Sequence, residues 1–139
     1  MELTANAIQL VGVNENVQFT DTVVGGSCSI IHRNGSGLVT LRGLTDQCRA
    51  RFRVSFGGNI AVPTDETVGP ISLAIAISGE SVAATTMIST PAAVEEYNNV
   101  YASVFLDIPR GCCAQISVRN TSDIDINVQN ANLIIERVA

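Results

Sequence analysis

The chain has no tryptophan and no lysine; all eight of its basic residues are arginines. Charged residues make up only 15% of its 139 positions, well under the usual quarter for a soluble domain. Thirteen Asp and Glu leave a net charge of −5. So acidic a chain lacks the positive surface that displaces counterions from phosphates, which argues against a nucleic-acid partner. Long apolar runs are missing as well. The longest, "ISLAIAI" at 71–77, has the length of a strand and falls far short of the roughly 20 residues that cross a bilayer as a helix, so no membrane insertion is expected. The N-terminal stretch "MELTANAIQLVGVNENVQF" shows no basic region ahead of an apolar one, and no secretory signal is expected. A protein of this kind working outside a cell is expected to get there by lysis, in a particle or by a route that the sequence does not show. No Ser/His/Asp set, phosphate loop or pair of catalytic carboxylates stands out, so neither enzymatic activity nor a cofactor is expected.

Apolar residues, by contrast, are abundant. They make up 46% of the chain, and the mean hydropathy is +0.29. Either the strands are covered on both faces or surface is buried against other copies of the chain. At this length one domain spanning 1–139 is expected.

The pattern is that of strands. "RARFRVSF" (49–56) sets Ala50, Phe52, Val54 and Phe56 on one face against Arg49, Arg51, Arg53 and Ser55 on the other. "NVYASVFLDIP" (99–109) opposes Val100, Ala102, Val104, Leu106 and Ile108 to Tyr101, Ser103, Phe105 and Asp107. "QISVRN" (115–120) directs Ile116 and Val118 inward, and "NLIIERV" (132–138) closes the chain as another strand. Asn34-Gly35-Ser36-Gly37 is a hairpin signal, because Asn-Gly supplies positive φ. Further Gly- and Asn-rich turns punctuate the chain at strand spacing, as in an antiparallel sandwich or barrel. One helical segment of a turn or two is expected at "TPAAVEEYNNV" (90–100), from Thr90 as cap, Pro91 in the first turn and Glu95 and Glu96 after it. In "ISLAIAISGE" the face opposite Leu73, Ile75 and Ile77 is Ser72, Ala74, Ala76 and Ser78. Such a strand is central or lies at a subunit contact, and Ala74 and Ala76, with Tyr101 and Phe105, are candidates for an oligomer interface.

Cys28, Cys48, Cys112 and Cys113 are spaced by 20, 64 and 1 residues, unlike the C-x2–4-C of structural zinc sites, and the one histidine, His32, sits in a strand of its own. Strand alternation places Cys112 with Ile116 and Val118, facing inward, and Cys113 on the opposite face, so the adjacent pair does not readily bridge or chelate. Two readings stay open: Cys112 and Cys48 as small core hydrophobes, or one or two disulfides whose pairing the sequence does not choose. Arg49, Arg51 and Arg53 form a cationic stripe. It is either a solvated face paired with Asp107 and Glu136, or a surface for an anionic ligand. "TDETVG" (64–69) offers two carboxylates, short of a calcium shell. Asn34-Gly-Ser and Asn120-Thr-Ser match the glycosylation pattern but read as turns.

Three segments carry a resemblance. "GPISLAIAISGESVAATTM", "VFLDIPRGCCAQISVRNTS" and "NVQNANLIIERVA" resemble the jelly-roll domain of complement globular-head and tumour-necrosis-factor-like proteins, most closely the bacterial and phage branch at the ends of collagen-like spore-surface and virion proteins. The matching stretches are Ser72–Gly79, Pro109–Ser122 and Asn130–Val138, about half of the chain. The resemblance implies an all-β antiparallel sandwich of about ten strands, assembled as a homotrimer with both termini near one end. Two departures stand out: the chain has no Gly-X-Y stalk, and Cys112-Cys113 replaces a Gly-Asp turn. No calcium ligand or receptor contact carries over. The function implied is that of a non-enzymatic structural or adhesive trimer on a phage virion or a bacterial spore or cell exterior. Its expected partners are itself, other virion or surface-layer proteins, and glycans; the alternative is a carbohydrate- or receptor-binding module using loops at one end.

Overall fold

A computed structural model describes all residues from Met1 to Ala139. Twelve strands follow one another: β1 (Glu2–Ala5), β2 (Gln9–Val11), β3 (Asp21–Val24), β4 (Ile30–His32), β5 (Val39–Arg42), β6 (Arg49–Ala61), β7 (Ile71–Ile77), β8 (Glu80–Ser81), β9 (Met87–Ser89), β10 (Asn98–Pro109), β11 (Cys113–Asn120) and β12 (Ile126–Arg137). One sheet runs β10-β6-β12-β1-β3, with β2 also on β12; the other runs β4-β5-β11-β7-β8, with β9 also on β7. Every pairing is antiparallel. The two sheets face each other across one contiguous cluster of 27 buried residues.

The alternation in the sequence explains this core. Ala50, Phe52, Val54 and Phe56 of β6 are fully buried, as are Leu133 and Ile135 of β12 and Ile116 and Val118 of β11. Phe56 meets Phe19 edge to face, with ring centroids 6.3 Å apart, the geometry the ring quadrupoles favour. The hairpin at Asn34-Gly35 forms between β4 and β5, with Gly35 at φ +92°.

Asn120 acts as a clip at the far end of β11. Fully buried, its Nδ2 donates to the carbonyls of Val11, Gly12 and Ile124, and its Oδ1 accepts from the Ser122 N–H. The side chain of this Asn-Thr-Ser sequence is therefore structural and shielded from solvent.

The segment 90–100 is not helical. Glu95 takes φ +59° and its N–H binds the Val62 carbonyl, so tertiary pairing overrides the local cap signal, and β10 begins at Asn98. The one short helical piece is a single 3₁₀ turn at Ala83–Thr85.

The two ends of the sandwich differ. The Met1 amino group donates to the Ile135 carbonyl, and the Ala139 carbonyl accepts from the Arg51 N–H, so both termini lie at one end. The same end carries the turns 25–29, 43–48 and 110–112. At the other end lie the β4–β5 hairpin and the segments 61–70 and 120–125.

Candidate functional site

The outer face of the long-stranded sheet is the most distinctive surface of the molecule. It is built by outward residues of β10, β6, β12 and β1, which stand side by side in register. Phe105 pairs with Arg53, which pairs with Glu136; Ser103 pairs with Ser55, which pairs with Ile134 and then Glu2; Tyr101 pairs with Gly57, which pairs with Asn132 and then Thr4. Tyr101 and Phe105 are 66% and 63% exposed and Ile134 is 39% exposed, so three large apolar groups stand in solvent on one sheet. The Tyr101 ring lies over Gly57, where any side chain would stand in van der Waals contact with it.

Polar groups between them are paired. Arg51 grips Asp107 with two parallel bonds, Nε to Oδ1 at 2.8 Å and Nη2 to Oδ2 at 3.1 Å, and Arg49 reaches the same carboxylate at 3.2 Å. The hydrogen bonds from Arg51, aided by the charges of Arg51 and Arg49, hold the Asp107 carboxyl below its ordinary pKa, against a smaller opposing effect of desolvation. Arg53 pairs with Glu136. The Ser55 and Ser103 hydroxyls bond at 3.0 Å, Asn132 donates to Glu2 at 2.7 Å, and Asn99 donates to Asn59 at 3.2 Å.

The arginine stripe is therefore a set of neutralised pairs. Arg49 and Arg51 share the Asp107 carboxylate, Arg53 pairs with Glu136, and Glu2, bonded to Asn132, and Asp21, opposite Thr4, add carboxylates on the same face, so the face is nearly neutral. Most of the chain's −5 lies elsewhere. What the stripe presents is not a free cationic surface. The depression beside it, about 290 Å³, is lined by Arg51, Phe105 and Asp107 and is open.

Of the four interface candidates, Tyr101 and Phe105 are exposed. Ala74 and Ala76 are not: both are fully buried within the single chain. They sit in β7 between β11 and the short strands β8 and β9, and Arg119, opposite Ala74, extends along them to donate to the Gly79 carbonyl at 2.8 Å. Their small size admits that covering arginine, not a second subunit.

The cysteines need a second correction. All four are free and exposed, none is in the core, and none is bridged. Cys112 belongs to the turn before β11, where its N–H binds the Pro109 carbonyl, so alternation within the strand does not reach it. Cys48 lies in the turn before β6. His32 is at the hairpin end of β4, with Nε2 2.9 Å from the Ser36 carbonyl and its ring edge-on to Phe19. The strand separates it from Cys28, so no Cys–His pair forms. Of the two readings of the arginine stripe, pairing with Asp107 and Glu136 is the one the structure shows. The alternation of 99–109 and 49–56 held the signal, but strand register was needed to set arginine beside carboxylate.

No protein-family model and no curated protein matches the sequence. Solved structures do. The globular domain of the zebrafish complement 1qA protein is 11% identical, covering 96% of this chain and 93% of its own, with a TM-score of 0.64. Murine APRIL is 10% identical, covering 97% of each chain, with a TM-score of 0.65. The fold is the jelly roll of complement globular-head and tumour-necrosis-factor-like proteins. At this identity the likeness is one of fold.

Proposed function

We propose that this jelly roll is a non-enzymatic structural or adhesive protein that assembles as a homotrimer through the outer face of the long-stranded sheet and is displayed on a particle surface, a phage virion or the exterior of a bacterial spore or cell. One observation carries the reading: a nearly neutral face bearing Tyr101, Phe105 and Ile134 on a molecule whose remaining surface is acidic. Copies brought together by this face meet no like-charge repulsion there, and they gain the burial of aromatic groups that water otherwise surrounds. The acidic remainder keeps the assemblies apart and soluble. Light scattering at low micromolar concentration is expected to give three times 14.6 kDa; a stable monomer overturns the assembly. Mass spectrometry of intact virions or spores tests the location.

A second reading has one observation behind it. At the end away from the termini, a broad depression of about 490 Å³ is lined by Asn14, Glu15, Asn16, Gln18 and Ser36, polar groups suited to sugar hydroxyls. A glycan array separates this binding module from a purely structural role: reproducible binding to one sugar class, lost in an Asn16→Ala, Gln18→Ala variant, favours the module.

A further inference from the structure

All four cysteines of the chain occupy one end of the sandwich. They fall on or beside three turns, with Cys28 in the turn 25–29, Cys48 closing the turn 43–48, and Cys112 and Cys113 at the turn into β11. The turns at the opposite end hold none. Backbone bonds tie the turns 43–48 and 110–112 together, Arg110 N–H to the Cys48 carbonyl at 3.0 Å, Gly43 N–H to the Cys112 carbonyl at 2.9 Å and Gly111 N–H to the Gly43 carbonyl at 3.0 Å, while the Arg42 N–H holds the turn 25–29 to the end of β5 through the Ser29 carbonyl at 2.8 Å. Gly43 is packed so closely on this cluster that a side chain there would clash with the Pro109 carbonyl. The turns are thus a fixed platform, and the thiols stand out from it.

Their directions diverge. Cys113, the first residue of β11, shares the outward side of its sheet with Gln115. Cys48 lines a shallow cleft on the other sheet with Arg49, Arg51 and Ala139. Two sheets of a sandwich lie about 10 Å apart, so these two thiols face opposite ways across a distance no disulfide spans. Cys112 and Cys113 are adjacent in sequence, and bridging them strains the backbone. These two pairings are disfavoured within one chain, and all four thiols, being free and exposed, are open to a thiol of another chain.

We propose that this end is a covalent self-association site, at which copies of the chain are joined by intermolecular disulfides among Cys28, Cys48, Cys112 and Cys113. Cys48 borders the neutral sheet face, so copies packed through that face carry their thiols to a common end. The chemistry is nonetheless separate from that packing. Each link forms one S–S bond from two thiols. The two protons and two electrons pass to a small-molecule disulfide such as oxidised glutathione, which leaves as two thiols.

The test mixes isotope-labelled and unlabelled reduced protein, oxidises it with a glutathione buffer, and reads denaturing gels without reductant and mass-spectrometric peptide maps. A ladder of dimers and larger species that collapses on adding reductant is expected, with cross-linked cysteine peptides joining labelled to unlabelled chains. The C28S/C48S/C112S/C113S variant loses the ladder while keeping the wild-type circular dichroism spectrum, since the replaced groups are exposed. Chains that stay at single-chain mass, whether reduced, internally bridged or capped by glutathione, overturn the proposal. Light scattering in reductant reads the face-mediated trimer by itself, so failure of one idea is distinguishable from failure of the other.

Discussion

Truncating Phe105 to alanine is the sharpest probe of the assembly. The residue is 63% exposed in the single chain. A phenylalanine buries on the order of 150–250 Å² when fully covered, so about 130 Å² of this one is left for a partner to cover. At about 25 cal/mol per Å² that covering contributes roughly 3 kcal/mol, of which truncation removes roughly 2 kcal/mol per protomer. Three protomers lose roughly 6 kcal/mol between them, about four decades in the dissociation constant of the trimer at about 1.4 kcal/mol per decade. Folding of the single chain should be little changed, because the ring packs on solvent and not on the core. Sedimentation velocity over a concentration series measures this: Phe105→Ala is expected to run at 14.6 kDa where the parent runs at three times that mass. Ile88→Ala is the control, since Ile88 is 67% exposed but belongs to the other sheet. A Phe105→Ala protein that stays trimeric, or an Ile88→Ala protein that dissociates equally, refutes the placement of the interface.

Asn120→Ala leaves three carbonyls and the Ser122 N–H without their partner in a buried site and should lower stability by roughly 2–4 kcal/mol, read from urea midpoints at constant slope. A loss under about 1 kcal/mol would show that water replaces the clip. The Asp107 carboxyl has a depressed folded-state pKa, so its contribution is present above the ordinary carboxylate value of about 3.9 and lost as pH falls through the folded value. The stability difference between the parent and Asp107→Asn should therefore be flat near neutrality and close in stronger acid; a difference that widens on acidification contradicts the Arg51 pairing. Native alkylation with peptide mapping should label all four cysteines in reductant, Cys112 no more slowly than Cys113; a protected Cys112 would place it back in the core.

Much of this protein was determined by alternation alone. The period-two patterns of 49–56 and 99–109 dictate which side of each strand is apolar, and Phe52, Phe56 and Ile108 are buried while Tyr101 and Phe105 are exposed, as the pattern requires. With turn residues at strand spacing and few helix signals, an all-β sandwich follows, and three short segments sufficed for the jelly roll. Alternation says nothing, however, about what lies above a strand or where a strand ends. Ala74 and Ala76 have the small side chains of a contact surface, and only the packed fold shows them already buried, with Arg119 opposite Ala74 bonded to the Gly79 carbonyl. Cys112 obeys inward parity on paper, but the turn at Pro109–Cys112 stops the strand one residue short of it. For Arg49, Arg51 and Arg53 the sequence left pairing with Asp107 and Glu136 and an anionic-ligand surface both open, and only register, placing Asp107 from 56 residues along the chain against Arg51, decides for the pairing. Local side-chain periodicity is a property of the strand and can be read from the sequence. Cover, strand ends and charge pairing are set by segments distant in sequence, and only the tertiary structure brings those together.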